Sequence, residues 1–367
     1  MTGTTIDDAM VRALELARRG PAHGPNPRVG CVLLAVDGAV LAEGWHQGAG
    51  TLHAEAAALR AARDAGTRID GATAVVTLEP CSHQGRTPPC AVALVDAGIS
   101  RVVFAVADPH PAGAGGADYL RGHEVTVEQG VRAAEGEELL RVWLAAVRRG
   151  RPFVTLKLAQ SLDGRIAARD GSSRWITGPQ AREHAHRVRA EVDAIVVGTG
   201  TVLADDPSLT ARTPDGALAP HQPVRVVVGR REVPDDARLR GAGGRLVQLR
   251  THAVHEVLAQ LDRLELRHVL VEGGSSLSTA FLAGGTVDEI HAYIAPLILG
   301  AGLPALGDLG INTLTGAMRF STRGVDLLGD DVLVTLAARP DVPGARRPPT
   351  AEPHLPPTAE PHRLEQP

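Results

Sequence analysis

Hydrophobic and polar positions along this chain follow two periods in turn. Residues 7–19 (DDAMVRALELARR) space their apolar side chains as a helix does, and Gly20-Pro21 ends the run. Val29–Val36 and Ala39–Gly44 read as strands joined across Asp37-Gly38, a hairpin pair. The pattern next predicts a helix over 53–65, a strand at Ala72–Leu78 and a helix at Cys90–Ala97. A strand at Val102–Ala107 and a long helix over 131–148 follow. Arg148–Pro152 (RRGRP) interrupts the pattern and marks a domain boundary. Beyond it, strands are predicted at Val154–Leu158, Ala194–Gly198, Val224–Val228, Leu246–Leu249, His268–Glu272, Glu289–Ala295 and Val332–Leu336. Helices near 179–190, 252–264 and 275–283 lie between them. Strands alternating with helices argue for an α/β layer architecture in both halves. The expected division is 1–147, 152–338 and a tail at 339–367. In that tail Pro, Arg, Glu and Thr dominate, and Thr350–His354 recurs as Thr358–His362. Such a segment cannot bury a core and is expected to be disordered.

Composition narrows the class. The 367 residues carry a net charge of −4, so no global basic field exists to collect nucleic acid. No long apolar run or basic leader is present, so neither a membrane span nor a secretory signal is expected. Three cysteines in so long a chain are not a disulfide framework; they fit a reducing cytoplasm. Of 38 Lys and Arg residues, only Lys157 is lysine. Either it is a chance survivor of a bias toward Arg, or a primary ammonium is needed there.

Three short pieces carry chemistry: His53-Ala54-Glu55, Pro80-Cys81, and Cys90 behind Pro88-Pro89. One imidazole and two thiolates can hold Zn²⁺ and leave a fourth position for water. Helix N-termini, where these ligands are expected to fall, favour thiolate over thiol. Glu55, two residues beyond His53, is placed to move protons beside the metal rather than bind it. The nucleobase-deaminase pattern is H-x-E with P-C-x-x-C, whereas eight residues separate these two cysteines. A structural zinc would want a fourth ligand, and His83 is at hand to supply it. Cys31, in the apolar VGCVLL, reads as buried and inert.

PNPRVGCVLL, HAEAAAL and TLEPCSHQGRTPPC resemble the deaminase half of bacterial bifunctional riboflavin-biosynthesis deaminase-reductases. The long loop between the cysteines is a mark of that family. The resemblance implies a cytidine-deaminase-like three-layer fold, with His53, Cys81 and Cys90 as zinc ligands and Glu55 as proton shuttle. It also implies Asn26, His46, His83 and Arg86 as substrate contacts. Thr51-Leu52 departs from the Pro usually found before the His, and 111–116 is unusually rich in Gly and Ala.

In the second half, Gly198-Thr199-Gly200-Thr201 and Gly273-Gly274 each follow a predicted strand. Both are candidate phosphate cradles, but neither forms G-x-G-x-x-G, and taken singly each is an ordinary Gly turn. Lys157, Asp205, Arg212 and Glu272 are expected at or just past strand ends, where α/β folds place ligand contacts. LKLAQSLDGRIA, SRWITG, TVLADDPSLTAR and VEGGSSL resemble the reductase half of the same family. That resemblance implies a dihydrofolate-reductase-like α/β fold using NADPH. Its cofactor positions match Ala159, Trp175, Thr201, Asp205, Gly274, Ser275, Ser276, Leu277, Ser278, Thr279 and Ala280. Its substrate positions match Ser173, Arg189, Leu209, Arg212 and Glu272, with Lys157 beside both sets. Trp175 also reads as a core aromatic. Arg230 is either a 2′-phosphate contact or a surface cation.

The implied chemistry is hydrolytic deamination of 2,5-diamino-6-(5-phosphoribosylamino)pyrimidin-4-one, then NADPH reduction of its ribosyl group. The implied partner is that small molecule, and a homo-oligomer stays open. Two rivals make different forecasts. A nucleic-acid base deaminase would need stacking aromatics, yet aromatics are 2% of residues. A zinc-stapled binding protein would be indifferent to loss of Glu55.

Overall fold

The computed structural model describes residues 3–82, 88–110 and 113–339. The tail beyond Arg339 therefore lies outside the described residues. The first half holds α1 (Ile6–Arg18), β1 (Gly30–Leu34), β2 (Val40–Trp45), α2 (Ala54–Asp64), β3 (Thr73–Leu78) and α3 (Cys90–Asp96). After these come β4 (Arg101–Val106), α4 (Gly116–Gly122), β5 (Thr126–Gln129) and α5 (Ala133–Arg149). Its sheet runs β2-β1-β3-β4-β5. The β1–β2 hairpin and the β1–β3 pair are antiparallel, and β3, β4 and β5 are parallel.

α1 starts where Thr5 and Asp8 cap each other's amides, and its Met10, Leu14 and Leu16 are buried against the sheet. Two glycines let helices lie directly on strands. A Cβ at Gly30 would stand 2.0 Å from the Ala13 carbonyl oxygen, and one at Gly44 would stand 2.4 Å from the Ala54 carbonyl oxygen. The second contact presses α2, with His53 at its start, onto β2.

The second half holds β6 (Phe153–Ser161), β7 (Arg165–Ala167), α6 (Pro179–Glu191), β8 (Ala194–Gly198), α7 (Thr199–Asp205) and β9 (Val224–Val228). It continues with β10 (Leu246–Leu249), α8 (Val254–Arg263), β11 (His268–Val271), α9 (Ser275–Ala283) and β12 (Glu289–Ala295). It closes with β13 (Leu303–Pro304), β14 (Phe320–Leu328) and β15 (Asp331–Ala338). The main sheet runs β10-β9-β8-β11-β6-β12-β15-β14. Its pairs from β10 to β12 are parallel, and β15 and β14 return antiparallel. The central strands are continuous Val and Ile runs, such as AIVV in β8, because helices cover both faces.

Gly150 ends α5 in the left-handed region, and the chain turns into β6. Asp288 ties this turn down: its carboxylate accepts from Arg149, from Arg151 at 2.7 Å and from the Val154 amide at 2.8 Å. Arg141 of α5 also pairs with Glu289 at 2.9 Å.

Several expectations need correction. α5 runs through Arg149, so RRGRP opens inside the helix. α4, β5, α7 and β14 were not anticipated. α4 and α7 are seven-residue helices too short to show a period. β14 is an edge strand with most of its side chains exposed, so it lacks the alternation that marks a half-buried strand. Lys157 lies within the nine-residue β6, not at its end, and Asp205 closes α7 rather than a strand.

Candidate active sites

α2 and α3 both begin at the C-terminal edge of the first sheet. His53 is the N-cap of α2 and Cys90 the first residue of α3, with Pro89 as its N-cap. Cys81 sits in the loop after β3, so the expectation that every ligand opens a helix is wrong for it. The three ligand atoms lie within 4.8 Å of one another. His53 Nδ1 is 3.7 Å from Cys81 Sγ and 3.4 Å from Cys90 Sγ. A tetrahedral zinc with ordinary Zn–N and Zn–S lengths sets such edges at about 3.6 Å. The donor set and its spacing therefore fit zinc through Nδ1. The Cys90 amide donates to Cys81 Sγ at 3.4 Å. Cys90 and His53 together hold the Cys81 thiol well below its ordinary value. His83, the rival fourth ligand, and Arg86 lie outside the described residues.

Glu55 is 3% exposed, and burial pushes its carboxyl up to about 7. Cys31 is fully buried and its thiol is raised by that burial, as an inert core cysteine should be. His46 Nδ1 meets the Leu52 carbonyl at 2.9 Å, which fixes the proton on Nδ1. Nε2 must then accept from Asn26 Nδ2, 3.0 Å away. That bond orients the Asn26 amide. The backbone carbonyl at position 52, which any residue there would supply, thus locks this histidine.

Asn26, His46, His53, Glu55 and Cys81 line one cavity of about 340 Å³. The sequence reading had missed others on its wall. Glu79 directly precedes Pro80-Cys81, and its carboxylate accepts from the amides of Asp108 (3.2 Å) and Ala117 (3.0 Å). Asp108 and Trp143 also line the cavity, as do Glu265 and Arg267 of the second half. A carboxylate beside a ligand cysteine was a readable signal for Glu79. The residues from the second half had none.

In the second half, Glu272 gathers two cations beyond the end of β11. Arg189 grips it with Nε and Nη2, both at 2.7 Å, and Lys157 Nζ stands 3.4 Å from Oε2. Burial alone would raise the Glu272 carboxyl, but Arg189 and then Lys157 outweigh it and hold it far below the usual range. Lys157 Nζ also lies 5.9 Å above the Tyr293 ring. Arg189 Nη1 and His186 both reach the Thr210 carbonyl, beside the buried Leu209, whose φ is +51°.

The two glycine turns meet: the Gly274 amide donates to Thr201 Oγ1 at 3.2 Å. Gly274 caps α9 without a side-chain cap, which suits its first amides to an anion. Ser275 and Thr279 face Gly307, whose amide donates to Thr279 Oγ1 at 2.7 Å. Ser276 is exposed and Ala280 half-buried. Leu277 packs on the core, and Ser278 is buried with its hydroxyl donating to the Gly273 carbonyl. Ala159 stands opposite Tyr293 across β6 and β12. Trp175 is 69% exposed, with the Arg182 guanidinium 4.7 Å above it, so the core reading of Trp175 is wrong. Arg174, next to Ser173, donates to the Asp205 carbonyl. Arg212 donates to the Gly216 carbonyl at 2.6 Å and does not join Glu272. Arg230 is exposed, whereas Arg231 Nη2 comes within 3.2 Å of where a Gly200 Cβ would stand.

A cytidine-deaminase-type layer with a His/Cys/Cys cluster, joined to an α/β reductase layer, defines a two-domain deaminase-reductase. Comparison with known proteins agrees. Residues 4–106 match the cytidine and deoxycytidylate deaminase zinc-binding region, and residues 152–334 match the RibD C-terminal domain. Riboflavin biosynthesis protein RibD of Mycobacterium tuberculosis (strain ATCC 25618 / H37Rv) is 47% identical, covering 91% of this chain and 98% of that protein. RibD of Escherichia coli (strain K12) is 40% identical over 89% of this chain and 98% of its own length. A Thermotoga maritima diaminohydroxyphosphoribosylaminopyrimidine deaminase/5-amino-6-(5-phosphoribosylamino)uracil reductase superposes with a TM-score of 0.80 at 34% identity, covering 91% of this chain and 99% of that one. Acinetobacter baumannii RibD, form 1, gives 0.82 at 38% identity, covering 91% and 99%. The chain belongs to the RibD family of riboflavin biosynthesis proteins.

Proposed function

We propose that this chain deaminates 2,5-diamino-6-(5-phosphoribosylamino)pyrimidin-4-one. It then reduces the ribosyl group to give 5-amino-6-(5-phosphoribitylamino)uracil. Residues 1–147 carry the first step and 152–338 the second. The observation that supports the reading most is the His53, Cys81 and Cys90 cluster sharing a cavity with buried Glu55.

His53, Cys81 and Cys90 hold zinc, which when bound supplies a water acidic enough to react near neutral pH. Glu55 takes one proton from water as the water oxygen bonds to the amine-bearing ring carbon and gives it to the ring nitrogen; it then takes the second proton from that oxygen and gives it to the amine, so that the C–N bond breaks and a carbonyl is left. Its buried carboxyl, near neutrality, suits a group that both takes and gives. Asn26, held by His46, orients the ring. Ammonia leaves.

NADPH supplies the hydride for the second step. Thr201, Gly274 and the first turn of α9 would hold its phosphates, and the rest of 275–280 would shape that wall with Ala159, Trp175 and Asp205. Arg189, Glu272, Ser173, Leu209 and Arg212 place the sugar. Lys157 is held between Glu272 and Tyr293, and it donates to the sugar oxygen as the ring opens.

The partner is a small molecule, and no described helix is long and apolar enough to cross a membrane. The free cysteines fit the cytoplasm. The test feeds the purified protein the ribosylaminopyrimidine phosphate and follows ammonia release and NADPH oxidation separately. Both should appear, in that order. Ammonia without NADPH loss would remove the reductase; neither signal would remove the reading.

A further inference from the structure

The deaminase cavity is not built by the deaminase half alone. Glu265 and Arg267, in the turn from α8 to β11, form part of its wall. Arg267 is the one lysine or arginine among the described residues that line it. Glu55, Glu79, Asp108 and Glu265 put four carboxyl side chains on the same wall. A substrate that carries a phosphate needs a cation to enter such a cavity.

The Arg267 guanidinium is positioned but not used up. Nη1 donates to Asp262 at 2.6 Å. Nε is buried and has no hydrogen-bond partner among the described residues. The Arg267 side chain as a whole keeps 21% of its surface exposed, and an anion in the cavity would meet the guanidinium there.

The backbone under Arg267 is joined to the deaminase half by one carboxylate. Asp193 Oδ2 accepts from the amides of Arg267 (2.7 Å) and His268 (2.8 Å). Its Oδ1 accepts from the Gly24 amide at 2.5 Å. Gly24 opens the Pro25-Asn26-Pro27 segment, which lines the cavity from the deaminase side. His23 stacks on His221 of the second half at 3.4 Å, and Trp143 Nε1 donates to the Pro25 carbonyl at 3.1 Å. The loop that carries Asn26 and the turn that carries Arg267 are thus set relative to each other through Asp193.

We propose that Arg267, from the reductase half, binds the phosphate-bearing end of the deaminase substrate and so completes the deaminase pocket. This rests on the deaminase reading above. It makes Arg267 a specificity residue for the first reaction, contributed by the domain that performs the second.

The test measures steady-state ammonia release by the full-length zinc enzyme. The probes are the ribosylaminopyrimidine phosphate and the same compound without its phosphate. Arg267→Gln should raise KM for the phosphorylated compound roughly tenfold or more, the loss of one charge-assisted hydrogen bond. KM for the dephosphorylated compound should stay put, and kcat should change little for either. Arg267→Lys, which keeps the charge but loses the fork, should recover part of the loss. Zinc content and NADPH oxidation with the deaminated intermediate report whether each variant is folded. Equal KM changes for the two compounds, or none, would overturn the assignment of Arg267 alone. Absence of ammonia release by the unaltered enzyme would instead overturn the deaminase reading, and this inference with it.

Discussion

Glu272→Gln is the most revealing change in the second half. The glutamate side chain is 6% exposed and neutralises Arg189, 17% exposed, and Lys157, 21% exposed. Glutamine keeps the shape and removes the charge, leaving two partly buried cations facing each other. Breaking a buried pair by removing one partner costs about 3–5 kcal/mol. The cations retain some water here, so roughly 2–4 kcal/mol is expected at pH 7. The pH dependence has a definite sign. The folded carboxyl titrates far below the usual range, whereas the unfolded one titrates near about 4.3. The stabilisation is therefore complete above the unfolded value and drains away as pH falls toward the folded one. Urea unfolding of both proteins at pH 7 and at pH 3.5 measures this. The stability gap should be wide at pH 7 and narrower at pH 3.5. NADPH oxidation should fall steeply while ammonia release persists. A gap under about 0.5 kcal/mol at pH 7, or one that widens in acid, would refute the buried-triad account.

Two further outcomes follow from packing. Gly44→Ala would drive a Cβ into the backbone of α2, 2.4 Å from both the Ala54 carbonyl and the Ala58 amide. It should cost about 1–3 kcal/mol and lower ammonia release far more than NADPH oxidation; equal losses would contradict the link from Gly44 to His53. Asp193→Ala strips the acceptor from three amides that join the halves. It should cost roughly 3 kcal/mol or more and raise the deaminase KM; an unchanged KM with a stable protein would show that Asp193 does not hold the Asn26 loop.

The zinc cluster was legible because its pieces are local. H-A-E opens a helix and P-P-C opens another, so short motifs carry the ligand geometry. Most strands were legible as Val-rich runs, and α1 by its period and its stop. The unreadable parts are those set by distance along the chain. Arg189 meets Glu272 across 83 residues, and Gly24 meets Asp193 across 169, with no local sign of either. β14 escaped because an exposed edge strand needs no alternation. Lys157 was singled out by its rarity but misplaced, since pairing with β12 from Thr155 onward carries β6 on to Ser161.

The most direct measurement is zinc content taken together with ammonia release in Cys81→Ser and Glu55→Gln. The account predicts one zinc per chain in the unaltered protein and its loss, with all ammonia release, in Cys81→Ser. Glu55→Gln should keep the zinc and lose ammonia release by roughly a hundredfold or more. Zinc retained in full by Cys81→Ser, or deamination undiminished in Glu55→Gln, would contradict it.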